Sequence, residues 1–181
     1  MERILTRWMD IPDLRKLDVY VGNGGYKALR QALFDMSPEQ IINEVKNSNL
    51  RGRGGAAFAT GVKWSFIPKE SKKPVYLCCN ADESEPGTFA NRYELENDPH
   101  CILEGIAIAC RAVGSHIAYV YLRGEFTAQK TCGMFQRLNC GCLLFLSSHD
   151  AYKNLCMTKV AANFNMCDAC EAYSRIFYAC T

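Results

Sequence analysis

The chain has 181 residues, of which 49% are hydrophobic, and carries a formal net charge of +2 at pH 7. Length and composition predict one medium-sized globular domain or part of a larger one. Because the charge is small and both signs are interspersed, the composition makes no case for nucleic acid or an anionic membrane as a partner. Apolar runs are too short for a signal peptide or a membrane span, so we expect a soluble, intracellular chain without direct membrane insertion.

A strand and two helices are predicted before residue 50. An apolar run at residues 17–21 predicts a strand that stops at a glycine-rich turn. Apolar side chains at helical spacing predict a helix over residues 26–34. Ser37, followed by a proline and then by a glutamine at a capping-box position, predicts a helix from residue 38 to about residue 46.

A basic, glycine-rich stretch, the glycine loop (residues 50–59), follows that helix. Backbone N–H groups approach an anion closely only where side chains are absent, so the loop is either a phosphate cradle or a basic surface turn. The cradle would consist of Gly52, Gly54 and Gly55, with charge from Arg51, Arg53 and Lys63. A short helix is predicted at residues 61–66, with its N-terminal N–H groups toward the glycines. Since a helix and not a strand precedes the loop, the ordinary dinucleotide-binding fingerprint is not expected.

The next segment predicts a strand–helix–strand unit. Residues 74–79 form a run that is apolar on both faces, which is typical of an interior parallel strand. Asp98 followed by a proline predicts the start of a helix that ends at Gly114, and residues 116–122 predict the second strand. Such a unit is expected to be parallel and right-handed. The buried stripe of the helix would be Ile102, Leu103, Ile106, Cys110 and Val113.

Polar side chains gather in the acidic loop (residues 80–87), just after the first of these strands. Ligands of open parallel sheets bind at the carboxyl ends of the strands. Carboxylates accept hydrogen bonds from sugar or ribityl hydroxyls but repel phosphate, so one phosphorylated, hydroxyl-rich cofactor could span the two loops. The structural alternative is a solvated loop or the acidic start of a helix. Phe58 and Phe66 would either stack on a flat ring or belong to the core.

Taken together, these segments resemble one family. The motifs closely resemble those of the flavin- and NADH-binding subunit of respiratory complex I, the family of the bacterial NADH-quinone oxidoreductase F subunit, and of its relatives in NAD-linked hydrogenases and formate dehydrogenases. The matching segments are residues 50–55, 60–64, 79–87, 92–93, 98–100 and 119–125. The resemblance covers roughly residues 15–125.

The resemblance implies an α/β, Rossmann-like FMN-binding domain with a mainly parallel sheet that is incomplete at its C-terminal side. It also implies that a hydride passes from NADH to FMN and that electrons normally leave through iron–sulfur clusters, while the protein positions the cofactors. FMN would be contacted by Gly52, Arg53, Gly54, Gly55, Lys63, Asn80, Asp82, Glu83 and Ser84. NADH would meet Glu85, Phe58 and Phe66. No catalytic side chain is expected, because the histidines lie far apart in the sequence.

Two positions of the glycine loop depart from the family pattern. Ala57 stands where the family usually has glycine, and Ala59 stands where it usually has proline. If the backbone at residue 57 has a positive φ, the extra methyl group would cost about 1 kcal/mol.

From Phe126 onward the sequence no longer resembles the family. We therefore divide the chain into an FMN- and NADH-binding domain, residues 1–125, and a cysteine-rich tail, residues 126–181. The tail lacks the motif that holds the family's 4Fe-4S cluster, and we interpret it as the product of a frameshift, a misjoined gene or an aberrant splice. Its close cysteine pairs, Cys140 with Cys142 and Cys167 with Cys170, match no metal-binding pattern, so no metal ligands are assigned.

Two functions remain open at this point. The chain is either a fragment of an NADH:quinone oxidoreductase flavoprotein subunit, or a non-enzymatic product: an inactive truncated fragment or a small cysteine-rich metal-binding protein. In the first case the resemblance implies other peripheral-arm subunits of complex I as partners, especially the subunit with the two-iron cluster. It also implies a cytoplasmic or mitochondrial matrix location, peripheral to the cell membrane or inner membrane. An unfinished sheet would expose an edge that demands a partner or favours aggregation.

Overall fold

The computed structural model describes residues 3–68, 73–122, 143–148 and 158–160, and the cysteine pairs singled out in the tail lie outside these ranges. The helices are α1 (Leu17–Gly22), α2 (Lys27–Phe34), α3 (Pro38–Asn47), α4 (Thr60–Ser65), α5 (Ala90–Asn97) and α6 (Pro99–Val113). The strands are β1 (Tyr76–Ala81), β2 (Ile117–Leu122), β3 (Leu143–Ser148) and β4 (Thr158–Val160). Among the helices within these ranges, none is long and apolar enough to cross a bilayer.

The strands form one sheet in the order β1-β2-β3-β4. β1 pairs with β2 in parallel, with Tyr76 opposite Ile117, and β2 pairs with β3 in parallel. The short strand β4 runs antiparallel to β3. The predicted α/β class with a mainly parallel sheet is therefore confirmed.

The predicted interior position of the first strand is wrong for the sheet that the structure describes. β1 lies at the edge of that sheet, and its side chains alternate between exposed and partly buried positions. Leu77 and Cys79 pack against the core, whereas Tyr76 and Cys78 face the other way. The run is apolar on both faces because tyrosine and cysteine count as apolar, although only one face is covered by the helices.

The predicted strand at residues 17–21 is also wrong, because this segment forms helix α1. Tyr20 is buried, and its hydroxyl donates to the Glu104 carboxylate of α6 at 2.7 Å. Leu17, Tyr20 and Val21 stand at positions i, i+3 and i+4, which is helical spacing. An apolar run of five residues fits the period of a strand as well as that of a helix. The contact of Tyr20 with α6 selects the helix.

The other predicted helices are confirmed, with small shifts at their ends. α3 begins with the predicted capping box: Ser37 Oγ accepts from the Gln40 N–H at 3.2 Å, and the Ser37 N–H donates to Gln40 Oε1 at 2.7 Å. α6 begins after Asp98, whose carboxylate accepts the Cys101 N–H at 3.2 Å, and it ends at Gly114 with a φ of 69°. Helix α5 was not predicted by its residues, although the acidic start of a helix was one alternative for the acidic loop that precedes it.

Helix α6 is the centre of the described core, since it contributes to each of the buried clusters. Ile106 and Cys110 pack toward the sheet, Ala107 packs with α1 and α2, and Val113 packs with α3. The predicted buried stripe is confirmed for Ile106, Cys110 and Val113, while Ile102 and Leu103 are partly buried. This arrangement brings the glycine loop and the acidic loop to the surface around β1.

Candidate functional site

The two ends of the glycine loop are held together by antiparallel backbone hydrogen bonds. The Gly52 N–H donates to the Phe58 carbonyl at 2.9 Å, and the Thr60 N–H donates to the Leu50 carbonyl at 2.9 Å. The chain enters α4 directly at Thr60. The loop is thus a closed hairpin that ends where a helix begins.

The tip of this hairpin is open to solvent. At Gly54 and Gly55 an added Cβ would meet no protein atom within 4 Å, and both residues are exposed. Gly55 has a φ of +100°, a conformation that side chains disfavour, so glycine is required there by the backbone. The N–H groups at the tip can therefore be reached by a bulky anion such as a phosphate group.

Ala57 is the strained residue of the glycine loop. Its φ is 49°, in the left-handed region that favours glycine. The Arg51 guanidinium donates to the Ala57 carbonyl at 3.4 Å, a long contact that steadies the turn. The cost of about 1 kcal/mol expected for alanine at residue 57 depended on a positive φ at this residue. The structure shows this positive φ.

Close packing fixes the position of α4 and of Lys63 on it. Gly61 is buried against α3, where an added Cβ would lie 2.6 Å from the Lys46 nitrogen and 3.0 Å from the Ile42 carbonyl oxygen. Because these are backbone atoms, the helices approach this closely only with glycine at residue 61. Lys63 is exposed and borders the cavity beside the loop.

A cavity of about 590 Å³ lies between the glycine loop, α4 and the first half of β1. Of the predicted site residues, Gly52, Gly54, Phe58 and Lys63 line it. Tyr76 and Cys78 of β1 form part of the wall, which sequence reasoning missed. The sequence carried no signal for them, because the run is apolar on both faces and the edge position of β1 depends on which strands pair. A volume of this size is within the range of about 300–1,000 Å³ that is typical of cofactor sites.

An exposed aromatic pair stands beside this cavity. Phe58 is 49% exposed and Phe66 is 67% exposed, and their ring centroids are 6.1 Å apart. The alternative that these rings belong to the core is therefore wrong. Two accessible rings at this distance can contact a flat aromatic ligand.

Strand β1, whose first half borders the cavity, leads to the acidic loop. Side chains on a strand alternate between its faces, so Tyr76, Cys78 and Asn80 share one face. Asn80 Oδ1 accepts the Asp82 N–H at 2.9 Å, which turns the chain at the end of β1. In the part of the chain that the structure describes, the acidic loop does not line the 590 Å³ cavity itself.

Asp82 carries an unsatisfied acceptor. Ser84 Oγ donates to Asp82 Oδ2 at 2.6 Å, whereas Asp82 Oδ1 is buried without a hydrogen-bond partner among the described residues. Buried carboxylate oxygens nearly always accept a hydrogen bond. A ligand hydroxyl is a donor of the kind that would satisfy this oxygen.

Glu83 is the buried member of the acidic loop, with 7% of its surface exposed. Its carboxylate accepts the Asn91 N–H at 2.8 Å and the Arg92 N–H at 3.1 Å, both in the first turn of α5. Glu83 is therefore not part of a solvated loop. Glu85 is exposed and begins a turn in which the Thr88 N–H donates to its carbonyl at 3.2 Å.

The surroundings of the acidic loop are electronegative. Burial raises the pKa of Glu94 on α5, and the nearby carboxylates of Glu83 and Asp98 raise it further. Burial also raises the pKa of the Cys79 thiol. Within the described ranges, no three His, Cys, Asp or Glu side chains come together in a group that could hold a metal ion.

Residues 45–134 match a family model described as the Nuo51 FMN-binding domain. The matched range includes the glycine loop, α4, β1, the acidic loop, α5, α6 and β2. Both loops of the candidate site thus lie inside the matched range.

Relatives with known names match the same part of the chain. The second NADH-quinone oxidoreductase F subunit of Rhizobium meliloti is 56% identical over 125 residues, which is 69% of this chain and 30% of the relative. The corresponding F subunit of Aquifex aeolicus is 53% identical over 117 residues, covering 65% of this chain and 27% of the relative. The F subunit of Escherichia coli is 47% identical over 111 residues, which is 61% of this chain and 25% of the relative. The matched part is therefore less than a third of the length of these relatives.

A solved structure is also similar. A chain of an NAD+-reducing NiFe hydrogenase in the air-oxidized state has a TM-score of 0.63 and 29% sequence identity. The alignment covers 81% of this chain and 24% of the hydrogenase chain.

Proposed function

Because residues 45–134 of this chain belong to the family of the Nuo51 FMN-binding domain, we propose that the chain is the FMN-binding portion of an NADH-oxidising flavoprotein subunit. The observation that carries this proposal is the 590 Å³ cavity between the glycine loop and β1. Strand β1 leads from this cavity to the acidic loop, where Asp82 Oδ1 has no hydrogen-bond partner among the described residues. We infer that the cavity is the phosphate-binding end and the acidic loop the hydroxyl-binding end of one cofactor site.

The residues at the first end suit a phosphate group. The open backbone at Gly54 and Gly55 would donate N–H groups, with Gly52 at the base of the hairpin. Arg53 and Lys63 are exposed cations that would offset the charge of the phosphate. Because α4 is held against α3, the backbone of Lys63 is already in place, and only its exposed side chain loses freedom on binding.

The residues at the second end suit a polyhydroxylated chain. Asp82 Oδ1 would accept a ribityl hydroxyl, and Asn80 and Ser84 lie on either side of it in sequence. The direct contact of Glu83 with the flavin stays a prediction, since its carboxylate is bound to α5. The unsatisfied oxygen at one end and the open glycines at the other fit FMN.

The nicotinamide substrate would lie on the exposed side of the cavity. When bound, FMN accepts a hydride from NADH and can release electrons singly. Phe58 and Phe66 would stack against a ring and exclude water, and Glu85 would accept a hydrogen bond from a sugar hydroxyl.

Electron exit from this site would need groups beyond the described residues. The proposal places the chain in a peripheral, membrane-associated complex with an iron–sulfur partner subunit, by analogy with relatives named as subunits of NADH-quinone oxidoreductase. Its quinone-linked activity and a cytoplasmic or matrix location are parts of the same proposal, whereas the family's 4Fe-4S cluster has no ligand motif in this chain. The domain boundary at residues 125 and 126 also stays a prediction.

FMN titration of the purified chain tests the proposal. We expect one FMN per chain, with visible absorbance bands and a change in flavin fluorescence on binding. Lys63→Ala should weaken binding about tenfold, because a charge-assisted phosphate contact is lost. The control is Arg30→Ala, which removes an exposed cation of α2 outside the cavity wall and should leave the affinity unchanged.

Two results would contradict the proposal. One is the absence of FMN binding by the unmodified chain. The other is an equal effect of Lys63→Ala and Arg30→Ala, which would mean that only overall charge matters. A colourless protein with stoichiometric zinc would instead favour the metal-binding alternative. Bleaching of the flavin absorbance by NADH tests whether the bound FMN is reduced by NADH.

A further inference from the structure

Helix α5 begins without a cap of its own. Its N-cap residue is Phe89, which has no side-chain acceptor and makes no capping hydrogen bond. The first N–H groups of a helix need acceptors from outside the helix. Glu83 supplies them, with Oε1 accepting from Asn91 at 2.8 Å and Oε2 accepting from Arg92 at 3.1 Å. A residue in the acidic loop therefore does what an N-cap aspartate or serine usually does.

This contact also stabilises the buried charge of Glu83. The carboxylate is 7% exposed, which would be costly for an unpaired anion. Charge-assisted hydrogen bonds from two backbone N–H groups, together with the positive end of the helix dipole, offset that cost. The loop and the helix therefore hold each other in place.

The neighbours of Glu83 are the polar groups that the proposed function uses. On one side, Asp82 has a buried Oδ1 without a hydrogen-bond partner among the described residues, and on the other, Ser84 Oγ donates to Asp82 Oδ2 at 2.6 Å. Ala81, which precedes Asp82, is the last residue of β1. Asp82 thus stands between an anchor in the sheet and an anchor on α5.

We propose that Glu83 is a positioning residue whose carboxylate joins the acidic loop to α5 and thereby orients Asp82 and Ser84 toward the ribityl hydroxyls of FMN. This inference rests on the proposed function, and it gives Glu83 a role that differs from direct contact with the flavin. Both carboxylate oxygens already accept from α5. The role therefore follows from the contacts of Glu83 and not from its charge alone.

The test separates loop positioning from helix capping. Glu83→Ala removes both functions, whereas Glu83→Ala combined with Phe89→Asp gives α5 a cap of its own but leaves the loop unattached. Glu83→Gln is the conservative variant, because it keeps one acceptor oxygen and the side-chain shape. Glu96→Gln is the control, since it changes an exposed carboxylate of the same helix that pairs with Arg92.

Two backbone amides report on the two functions without any cofactor. The Tyr93 N–H bonds to the Phe89 carbonyl at 2.9 Å and reports on the first turn of α5. The Asp82 N–H bonds to Asn80 Oδ1 at 2.9 Å and reports on the loop. Hydrogen exchange at both is measured by NMR, and FMN affinity is measured by fluorescence titration.

We expect Glu83→Ala to speed exchange at both amides by about tenfold and to weaken FMN binding by a similar factor. Adding Phe89→Asp should restore slow exchange at the Tyr93 amide. Exchange at the Asp82 amide should stay fast, and FMN binding should stay weak. Glu83→Gln should fall between the unmodified chain and Glu83→Ala, and Glu96→Gln should change neither amide.

Other outcomes would overturn the inference. If Phe89→Asp restores the Asp82 amide and FMN affinity together with α5, Glu83 is only a helix cap. If Glu83→Ala weakens FMN binding while exchange at Asp82 stays slow, Glu83 contacts the flavin directly. If the unmodified chain binds no FMN, the proposed function fails, while the Asp82 amide still decides whether Glu83 orders the loop.

Discussion

At the scale of single residues, Ala57, where the family resemblance predicts glycine, has a backbone conformation that favours glycine. Its φ of 49° crowds the Cβ against the backbone, whereas Gly55, at +100°, has no such penalty. Ala59, the other departure, has a φ of −66°, which both alanine and proline adopt without strain. Only one of the two departures is therefore expected to strain the folded backbone.

Ala57→Gly should raise the free energy of unfolding by about 1 kcal/mol, because the left-handed conformation costs glycine little. Urea denaturation of the two proteins measures the difference. The matched control is Ala59→Gly, which should lower stability by about 0.5–1 kcal/mol, since at a negative φ glycine only adds freedom to the unfolded chain. Equal effects of the two substitutions would show that backbone strain at residue 57 is absent.

At the scale of elements, the position of the cavity depends on how closely α4 approaches α3. Lys63 lines the cavity from α4, and α4 is held by the contact of Gly61 with the backbone of α3. Neither helix is long, so their mutual packing, not intrinsic helix propensity, keeps α4 in place.

Gly61→Ala should lower the free energy of unfolding by about 2 kcal/mol, because backbone atoms at 2.6 and 3.0 Å cannot move aside as a flexible side chain would. The same change should weaken FMN binding by displacing Lys63. Thermal and urea denaturation measure the first effect.

The control for this substitution is Gly105→Ala, at an exposed position of α6 where an added Cβ meets nothing within 4 Å. It should raise stability by about 0.5–1 kcal/mol, the usual gain from alanine within a helix. If Gly61→Ala raised stability as Gly105→Ala does, the close approach of α3 and α4 would be refuted.

At the scale of the whole molecule, a buried polar network joins the N-terminal helices to α6. Glu104 accepts from the Tyr20 hydroxyl at 2.7 Å and from the Tyr26 N–H at 2.9 Å. The Tyr26 hydroxyl and His100 Nδ1 are 2.9 Å apart, and His100 Nε2 is 3.2 Å from the Arg15 carbonyl oxygen. Since a carbonyl only accepts, Nε2 carries the proton and Nδ1 accepts from Tyr26. His100 is neutral in this arrangement.

Stability should therefore fall as the solution is acidified below pH 6.5. Burial lowers the pKa of His100, and the bond to the Arg15 carbonyl only partly opposes this. The unfolded chain then takes up a proton near pH 6.5 that the folded chain does not, so the stabilisation is complete above this pH and is lost below it. For one proton the slope is at most about 1.4 kcal/mol per pH unit.

Urea denaturation at a series of pH values measures the slope of the free energy of unfolding against pH, and His100→Gln should flatten this slope. His116→Gln, at an exposed histidine, should keep it, because His100 is still present. Burial raises the pKa of Asp98 and Glu94, so their protonation on acidification opposes the decline, and comparison with His100→Gln removes their contribution. An unchanged slope in His100→Gln would disprove the assignment to this residue.

Much of the fold follows from local sequence. The parallel β1–β2 pair was predictable because a helix connects the two strands and such units pair in parallel. The capping box at Ser37 and the Asp98 and Gly114 boundaries of α6 were predictable, because caps and apolar periodicity act between near neighbours. The glycine loop and the acidic loop were predictable as a candidate site for the same reason. Both are short motifs whose chemistry is visible in the residues themselves.

Other features depend on residues that are distant in sequence. The run at residues 17–21 fits a strand or a helix until Tyr20 meets Glu104 of α6. The edge position of β1 depends on which strands pair, and the role of Glu83 depends on a helix whose own first residue cannot cap it. By itself, then, the sequence determined the elements with strong local signals and the chemistry of the two loops. Only the tertiary structure decided which residues of β1 border the cavity, and that Glu83 accepts hydrogen bonds from α5, because burial and hydrogen bonding between distant segments exist only after the chain has packed.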